Sequence, residues 1–183
     1  MTRTVAVFVG SLRKASLNRR TAEALARMAP ENLRLEIVEI GDLPHYNEDL
    51  ERDPPAAWTR FRDEVRDKQA LLFVTPEYNR SLPSALKNAI DVGSRPYGKG
   101  VFSGKPGAVI TVSPGQYGGF GANHHLRQSM VFLDVPMMQQ PEAYLAKAGG
   151  IFAEDGSLRD EGAKDLLRRF IDGFAAWVER LAR

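Results

Sequence analysis

The chain has 183 residues, 43% of them hydrophobic and 26% charged, with a formal net charge of +2 at neutral pH. That is the balance of a soluble globular protein, and its cations are scattered rather than massed, which argues against a nucleic-acid partner. There is no cysteine and there are three histidines, which excludes disulfides, iron–sulfur clusters, thiolate zinc sites and cysteine nucleophiles and leaves little for a histidine metal site.

At this length one domain spanning residues 1–183 is expected. The opening Met1-Thr2-Arg3-Thr4-Val5 lacks a secretory pattern, and no apolar run approaches the ~20 residues of a membrane span. Membrane insertion is therefore not expected, and a cytoplasmic location is. Val5–Val9 (VAVFV) is a continuous apolar run of strand formers, the pattern of a strand buried on both faces. From Leu17 to Met28 the apolar positions recur on one helical stripe. Leu33–Ile40 alternates over its first five positions, which predicts a strand near a sheet edge with one wetter face. Pro54 and Pro55 open a helix to about Lys68, Ala70–Thr75 (ALLFVT) is again a buried strand, and Pro83–Val92 reads as a helix with proline in its first turn. Ala108–Val112 (AVITV) is a fourth strand, followed by a helix over Ala122–Leu133 and a short fifth strand near Met137–Gln140. Asp155-Gly156 makes a turn, and an amphipathic helix closes the chain over Leu158–Leu181.

Strand and helix alternate five times, which predicts an α/β fold, a doubly wound parallel sheet with helices on both faces. An edge-like second strand fits the order 2-1-3-4-5. Ligands of such sheets bind beyond the carboxyl ends of the strands, near the point where the order reverses. The loops after strands one, three and four are the ones to read.

The first of them is GSLRKASLNRR, Gly10–Arg20. It is neither a Walker A loop nor a dinucleotide fingerprint, since Gly10 is its only glycine. A helix starting at Ser16 or Leu17 presents unpaired N–H groups and a positive dipole end. Ser11, Ser16 and Asn18 carry side-chain donors, and Arg13 can clamp a phosphate. Hydroxyls with few glycines point to one phosphate monoester rather than a pyrophosphate. On its own the loop is read equally well as a Ser16 cap with solvated cations, and Lys14, Arg19 and Arg20 read as bystanders either way.

GSLRKASLNRR resembles the G-S-x-R-x-x-S-x-N phosphate loop of the NADPH-dependent FMN reductase family. That family has a flavodoxin-like fold and includes quinone, chromate and azo-dye reductases. The similarity runs from Val5 to the last helix. It implies that Ser11, Arg13, Ser16, Leu17 and Asn18 hold the phosphate of FMN. In TPEYNRSLPSALKNAID, Thr75–Asp91, Pro76 stiffens the strand exit, Asn79 tolerates unusual backbone angles and Tyr78 offers a flat surface. Pro76, Glu77, Tyr78 and Asn79 match the family's P-E-Y-N position by position. The resemblance implies that main-chain groups here bond the isoalloxazine ring and that Tyr78 lies near the face where the second substrate stacks. In TVSPGQYGGFGANHHLRQ, Thr111–Gln128, four glycines permit close approach of a flat ligand. Ser113 can bond a ring edge, and the resemblance implies that this loop completes the flavin pocket, with Ser113 its best matched residue and Gly115 beside it; Pro114 and Gln116 depart from the family pattern. His45, His124 and His125 read as loop, helix-surface or subunit-contact residues, with no triad or metal set around them.

The function so implied is an FMN-dependent oxidoreductase. NADPH or NADH reduces the flavin, which then reduces a quinone or another acceptor (chromate, azo compounds, free flavin) by a ping-pong route with no protein nucleophile. A homodimer or homotetramer is implied, with Ala122–Leu133 and MMQQPEAYL as contact surfaces. The NADPH preference is a family expectation, and no 2′-phosphate clamp is recognisable in the sequence. The alternative is a flavodoxin-type electron carrier, whose usual strong acidity this chain lacks. A flavin-free relative of the fold is a third reading.

Overall fold

The computed structural model describes residues 1–182. Its elements in chain order are β1 (Arg3–Val9), α1 (Leu17–Met28), β2 (Leu33–Ile37), α2 (Ala56–Arg66), β3 (Ala70–Thr75), α3 (Ser84–Gly93), β4 (Gly107–Val112), α4 (Phe120–Phe132), β5 (Ala143–Leu145) and α5 (Glu161–Leu181). The five strands form one parallel sheet in the order β2-β1-β3-β4-β5, the order expected from the sequence. All residues of β3 and β4 are buried. This is why those segments read as unbroken apolar runs, since helices cover both faces of the sheet. β2 lies at the edge, and only Leu33 of its five residues is buried.

Two cores follow from the alternation of side chains along each strand. Val5, Val7 and Val9 point toward α1 and α5, where they meet Leu25, Leu167, Phe170 and Phe174. Ala6 and Phe8 point the other way, toward α2, α3 and α4. There the Phe8 ring stacks on Phe73 with centroids 5.1 Å apart. The fully buried Phe61 and Phe102 flank it.

The fifth strand departs from expectation. Met137 makes one parallel bridge with Gly107, and Met138 donates to the Gly107 carbonyl at 2.7 Å. The segment then leaves the sheet at the exposed Gln139 and Gln140, and Pro141 has no N–H to continue a ladder. Pairing resumes at Ala143–Leu145 against Ile110–Val112. An apolar pair of methionines marked the right neighbourhood, and the hydrogen-bonding strand is the next apolar segment along. The closing helix also begins later than its apolar pattern suggests, because Asp160 accepts from the Ala163 N–H at 2.7 Å and caps it there.

Candidate functional site

The carboxyl ends of β1, β3 and β4 lie side by side, and the loops that leave them bound one rim of the sheet. At Gly10 the β1 backbone still pairs, donating to Val74 at 2.9 Å. A Cβ there would overlap the Thr75 hydroxyl, so glycine is required where the first loop departs. Beyond it, none of the backbone N–H groups from Ser11 to Asn18 has a hydrogen-bond partner among the described residues. Ser16 caps α1 by accepting from Arg19 N–H at 3.1 Å, so the capping geometry is realised. A hydroxyl that accepts retains its own proton to donate. Ser11, Ser16 and Asn18 are 8%, 3% and 4% exposed, which is unusual for polar loop residues. Asn18 Nδ2 reaches the Val112 carbonyl at 3.5 Å and so ties the first loop to the end of β4. Its Oδ1 is buried without a partner. Leu17 places its backbone, not its half-buried side chain, at the helix start. Arg13 and Lys14 are exposed, and Arg19 is engaged by Glu39 at 2.7 Å.

The second loop is a tight hairpin. Tyr78 and Ser81 exchange two backbone hydrogen bonds, each 2.9 Å. Asn79 and Arg80 between them have φ of +50° and +64°, the left-handed pair of a type I′ turn. Asparagine tolerates that region, whereas arginine enters it at a cost of about 1 kcal/mol. Pro76 is buried, and Tyr78 is 50% exposed at the rim. Glu77 is a fastener. Its Oε2 accepts from the Ala122 N–H at 3.1 Å, its Oε1 from Arg80 at 3.2 Å. Since α4 starts from Gly119, which has no side chain to cap with, the carboxylate supplies the missing cap from another loop. On the far side of the hairpin, Ser81 Oγ and His125 Nδ1 are 3.0 Å apart.

The glycines of the third loop also make room for neighbouring protein segments. A Cβ on Gly118 would meet Tyr144, one on Gly119 would meet Thr111 at 2.8 Å, and one on Gly121 would meet the Arg80 carbonyl at 2.6 Å and Glu77 Oε2 at 2.9 Å. Three of the four therefore admit the protein's own segments. Gly115 is exposed, with only Ser113 Oγ near its Cβ position. Ser113 Oγ accepts from Gly115 N–H at 3.1 Å, and the hydroxyl proton stays available.

Aromatic side chains that sequence reasoning passed over complete the rim. Tyr117 and Phe120 are 59% and 55% exposed, and the Arg80 guanidinium lies 5.0 Å from the Tyr117 ring centre. Phe120 packs on His124 at 4.2 Å and on Tyr144 at 5.7 Å. Burial, and then a hydrogen bond to Glu142, pushes the Tyr144 phenol up to about 12, so it stays protonated throughout the working range. His45 is exposed on the loop after β2.

This arrangement suits a phosphorylated flavin. A run of unpaired N–H groups at a helix N-terminus suits a phosphate, and the orphaned Asn18 Oδ1 suits a hydroxyl donor of a ribityl chain. The free N–H groups of Glu77, Asn79 and Arg80 suit the acceptor edge of a flat ring. A hollow of about 730 Å³ lies at the opposite, amino end of the sheet among Arg3, Lys68, Lys105 and Pro136. Its cations are committed, Arg3 to Glu179 at 3.5 Å, Lys68 to Glu36, and Lys105 to the Val65 and Arg66 carbonyls at 2.5 and 3.0 Å.

A parallel sheet in this order, with an anion-ready first loop and two ring-sized loops beside it, defines a flavodoxin-like cofactor-binding protein. The family model described as NADPH-dependent FMN reductase matches residues 3–150, and the chain belongs to that family. It is 62% identical over 176 residues to a quinone reductase of Pseudomonas putida, covering 96% of this chain and 94% of that one. It is 44% identical over 174 residues to a 2-hydroxy-1,4-benzoquinone reductase of a Burkholderia species, covering 95% of each. Among solved structures it resembles FerB, a flavoenzyme NAD(P)H:(acceptor) oxidoreductase from Paracoccus denitrificans, at 44% identity and a TM-score of 0.92 over 98% of both chains.

Proposed function

We propose that this protein is an NAD(P)H-dependent, FMN-containing quinone reductase, with the cofactor seated on the rim formed by the loops after β1, β3 and β4. The observation that carries the proposal is the unbroken run of unpartnered N–H groups from Ser11 to Asn18 at the start of α1, beside a buried set of Ser11, Ser16 and Asn18. When bound, FMN supplies two-electron transfer between a nicotinamide and an acceptor. The chain's own residues hold and orient. Ser11, Arg13, Ser16 and the N–H groups of Leu17 and Asn18 hold the phosphate, in a field made favourable by the helix dipole. Asn18 Oδ1 accepts from the sugar-alcohol chain. Pro76, Glu77, Tyr78 and Asn79 present a rigid hairpin whose backbone N–H groups face the ring, and Glu77 keeps that hairpin in register with α4. Donors aimed at the ring stabilise negative charge that develops on it without reorganising. Ser113 and Gly115 close the third side. Tyr78, half exposed, leaves one face open for stacking.

One open face serves both nicotinamide and acceptor in turn, so ping-pong kinetics follow. Quinones are the favoured acceptors, given the close relatives. Chromate, azo compounds and free flavin are further acceptors that an open face admits. One domain, residues 1–183, carries one flavin, and we place it in the cytoplasm, where NAD(P)H is supplied. No helix of the described residues is long and apolar enough to cross a membrane. The chain also works as a homodimer or homotetramer. Phe120 and His124 pack toward Tyr144 at the start of α4, and Phe120, His124, Val131 and Phe132 leave an exposed, largely apolar surface along that helix, with Arg127 half-buried among them.

The test is to mix purified, FMN-loaded protein with NADPH in the presence of a benzoquinone. Bleaching of the yellow colour followed by catalytic turnover, with parallel lines in double-reciprocal plots, is expected. A yellow protein that NAD(P)H does not bleach would make it an electron carrier, and a protein that takes up no FMN would remove the site.

A further inference from the structure

The Tyr78–Ser81 hairpin carries an arginine where its turn favours a glycine. Arg80 is the second central residue of the type I′ turn, with φ of +64°, and a residue with a Cβ holds that conformation at a cost. Its side chain is 70% exposed, so burial does not offset the cost. Residues kept in such conformations cluster where the side chain is used. The guanidinium lies 5.0 Å from the centre of the Tyr117 ring, and that ring is itself exposed. Arg80 belongs to the loop after β3 and Tyr117 to the loop after β4. Their contact therefore spans two of the three loops of the rim. Neither residue belongs to the α4 and β5 segments read above as subunit contacts. Among the described residues Arg80 makes one side-chain hydrogen bond, from Nη1 to Glu77 Oε1 at 3.2 Å. The N–H groups of Nε and Nη2 are left to donate. Glu77 is the one carboxylate paired with it, and the other oxygen of that carboxylate is held by the Ala122 N–H at 3.1 Å.

An aromatic face steadies a guanidinium and leaves its edge free for hydrogen bonds. Tyr78, the half-exposed ring proposed above for stacking, precedes Arg80 by two residues in the same turn. A flat acceptor laid against Tyr78 therefore has this guanidinium for a neighbour. A sulfonate, a carboxylate or an ionised hydroxyl on the acceptor ring pairs with it through charge-assisted bonds. A neutral acceptor of the same ring gains only the stacking.

We propose that Arg80, steadied by Tyr117, determines acceptor specificity by charge and makes the enzyme prefer quinones with an anionic substituent over neutral quinones of the same ring system. This rests on the reductase reading above and adds a discrimination within it. Arg80 supplies the charge and the donors, Tyr117 fixes the guanidinium in place, and the turn bears the conformational cost of setting an arginine there.

The experiment compares 1,4-naphthoquinone with its 2-sulfonate as acceptors for the FMN-loaded protein and its Arg80→Gln, Arg80→Lys and Tyr117→Leu variants. Calorimetric titration with two unreactive probes, naphthalene-2-sulfonate and naphthalene-2-methanol, accompanies the kinetics. The parent should show the lower KM for the sulfonate. Arg80→Gln should reduce that preference about fivefold, the size of one solvent-exposed charge pair. Arg80→Lys should retain most of it, and Tyr117→Leu should lose part of it. Raising the salt should shrink the preference in the parent and leave Arg80→Gln nearly indifferent. The sulfonate probe should lose affinity in Arg80→Gln by the same factor, while the neutral probe moves by less than about twofold. Equal changes for the charged and neutral member of each pair, the outcome of a merely structural tie between the two loops, would overturn the assignment, as would a parent with no preference. If no acceptor is reduced, the reductase reading fails by itself and the probe titration still decides the role of Arg80: sulfonate binding lost in Arg80→Gln supports it, and binding indifferent to charge, or no binding, overturns it.

Discussion

Replacing Gly121 with alanine sets two physical effects against each other. Gly121 lies in the first turn of α4, and glycine to alanine inside a helix normally stabilises by about 1 kcal/mol. Here the new methyl would stand 2.6 Å from the Arg80 carbonyl and 2.9 Å from Glu77 Oε2. The first of these is backbone of a two-residue turn and cannot swing aside. Overpacking of this kind costs about 1–3 kcal/mol. Displacing Glu77 also breaks its charge-assisted bond to the Ala122 N–H, worth about 1.5–3 kcal/mol. Set against the propensity gain, the net is a loss of about 1.5–5 kcal/mol, roughly 3–20 °C in Tm at the 2–4 °C per kcal/mol of a chain of this size. The loss falls on the hairpin proposed above to face the ring, so FMN affinity should drop as well. Thermal and urea denaturation of the FMN-free protein, together with flavin fluorescence titration, read both quantities. Combining Gly121→Ala with Glu77→Ala should give much less than the sum of the single losses, since the same contact is removed twice. A Gly121→Ala protein more stable than its parent, with unaltered FMN affinity, would refute the claim that Glu77 and Gly121 lock the β3 loop to α4.

Arg13→Ala should weaken FMN binding about tenfold while leaving the turnover of the remaining loaded enzyme nearly unchanged, because the side chain anchors the phosphate far from the reacting ring; equilibrium titration and kcat at saturating FMN separate the two. Tyr78→Ala should raise the KM for nicotinamide and quinone severalfold with little change in FMN affinity, as measured by steady-state kinetics. At the other end of the sheet, Lys68, through its hydrogen bond, holds the Glu36 carboxyl below its usual range, and Arg34 adds to the effect. A depressed carboxyl contributes stability above its unfolded-state value and loses it as pH falls through the folded-state value. Glu36→Gln should therefore reduce stability at neutral pH by under about 1 kcal/mol, given the partial exposure of the pair. Urea melts across pH should show the difference vanishing in the acid range below ordinary carboxylate titration.

Much of the fold was legible in the residues because burial writes itself into a strand's composition. VAVFV, ALLFVT and AVITV have no polar side because helices cover both faces of their strands, and LRLEI alternates because it lies at the edge. The first loop and the P-E-Y-N hairpin were legible for a related reason. A serine cap at a helix start and a turn at positive φ each demand particular residues at consecutive positions, and those positions are local in sequence. The tertiary structure alone decided whatever joins distant segments. Which apolar segment becomes β5 depends on the register offered by β4, since Met137–Gln140 and Ala143–Leu145 are both hydrophobic enough. That Glu77 caps a helix 45 residues away, that Gly118, Gly119 and Gly121 make room for neighbouring protein segments, and that His125 meets Ser81 are consequences of how loops converge when the sheet closes. A sequence records what each residue can do within its own few neighbours; which partners come within about 3 Å is set by the packing of elements far apart along the chain.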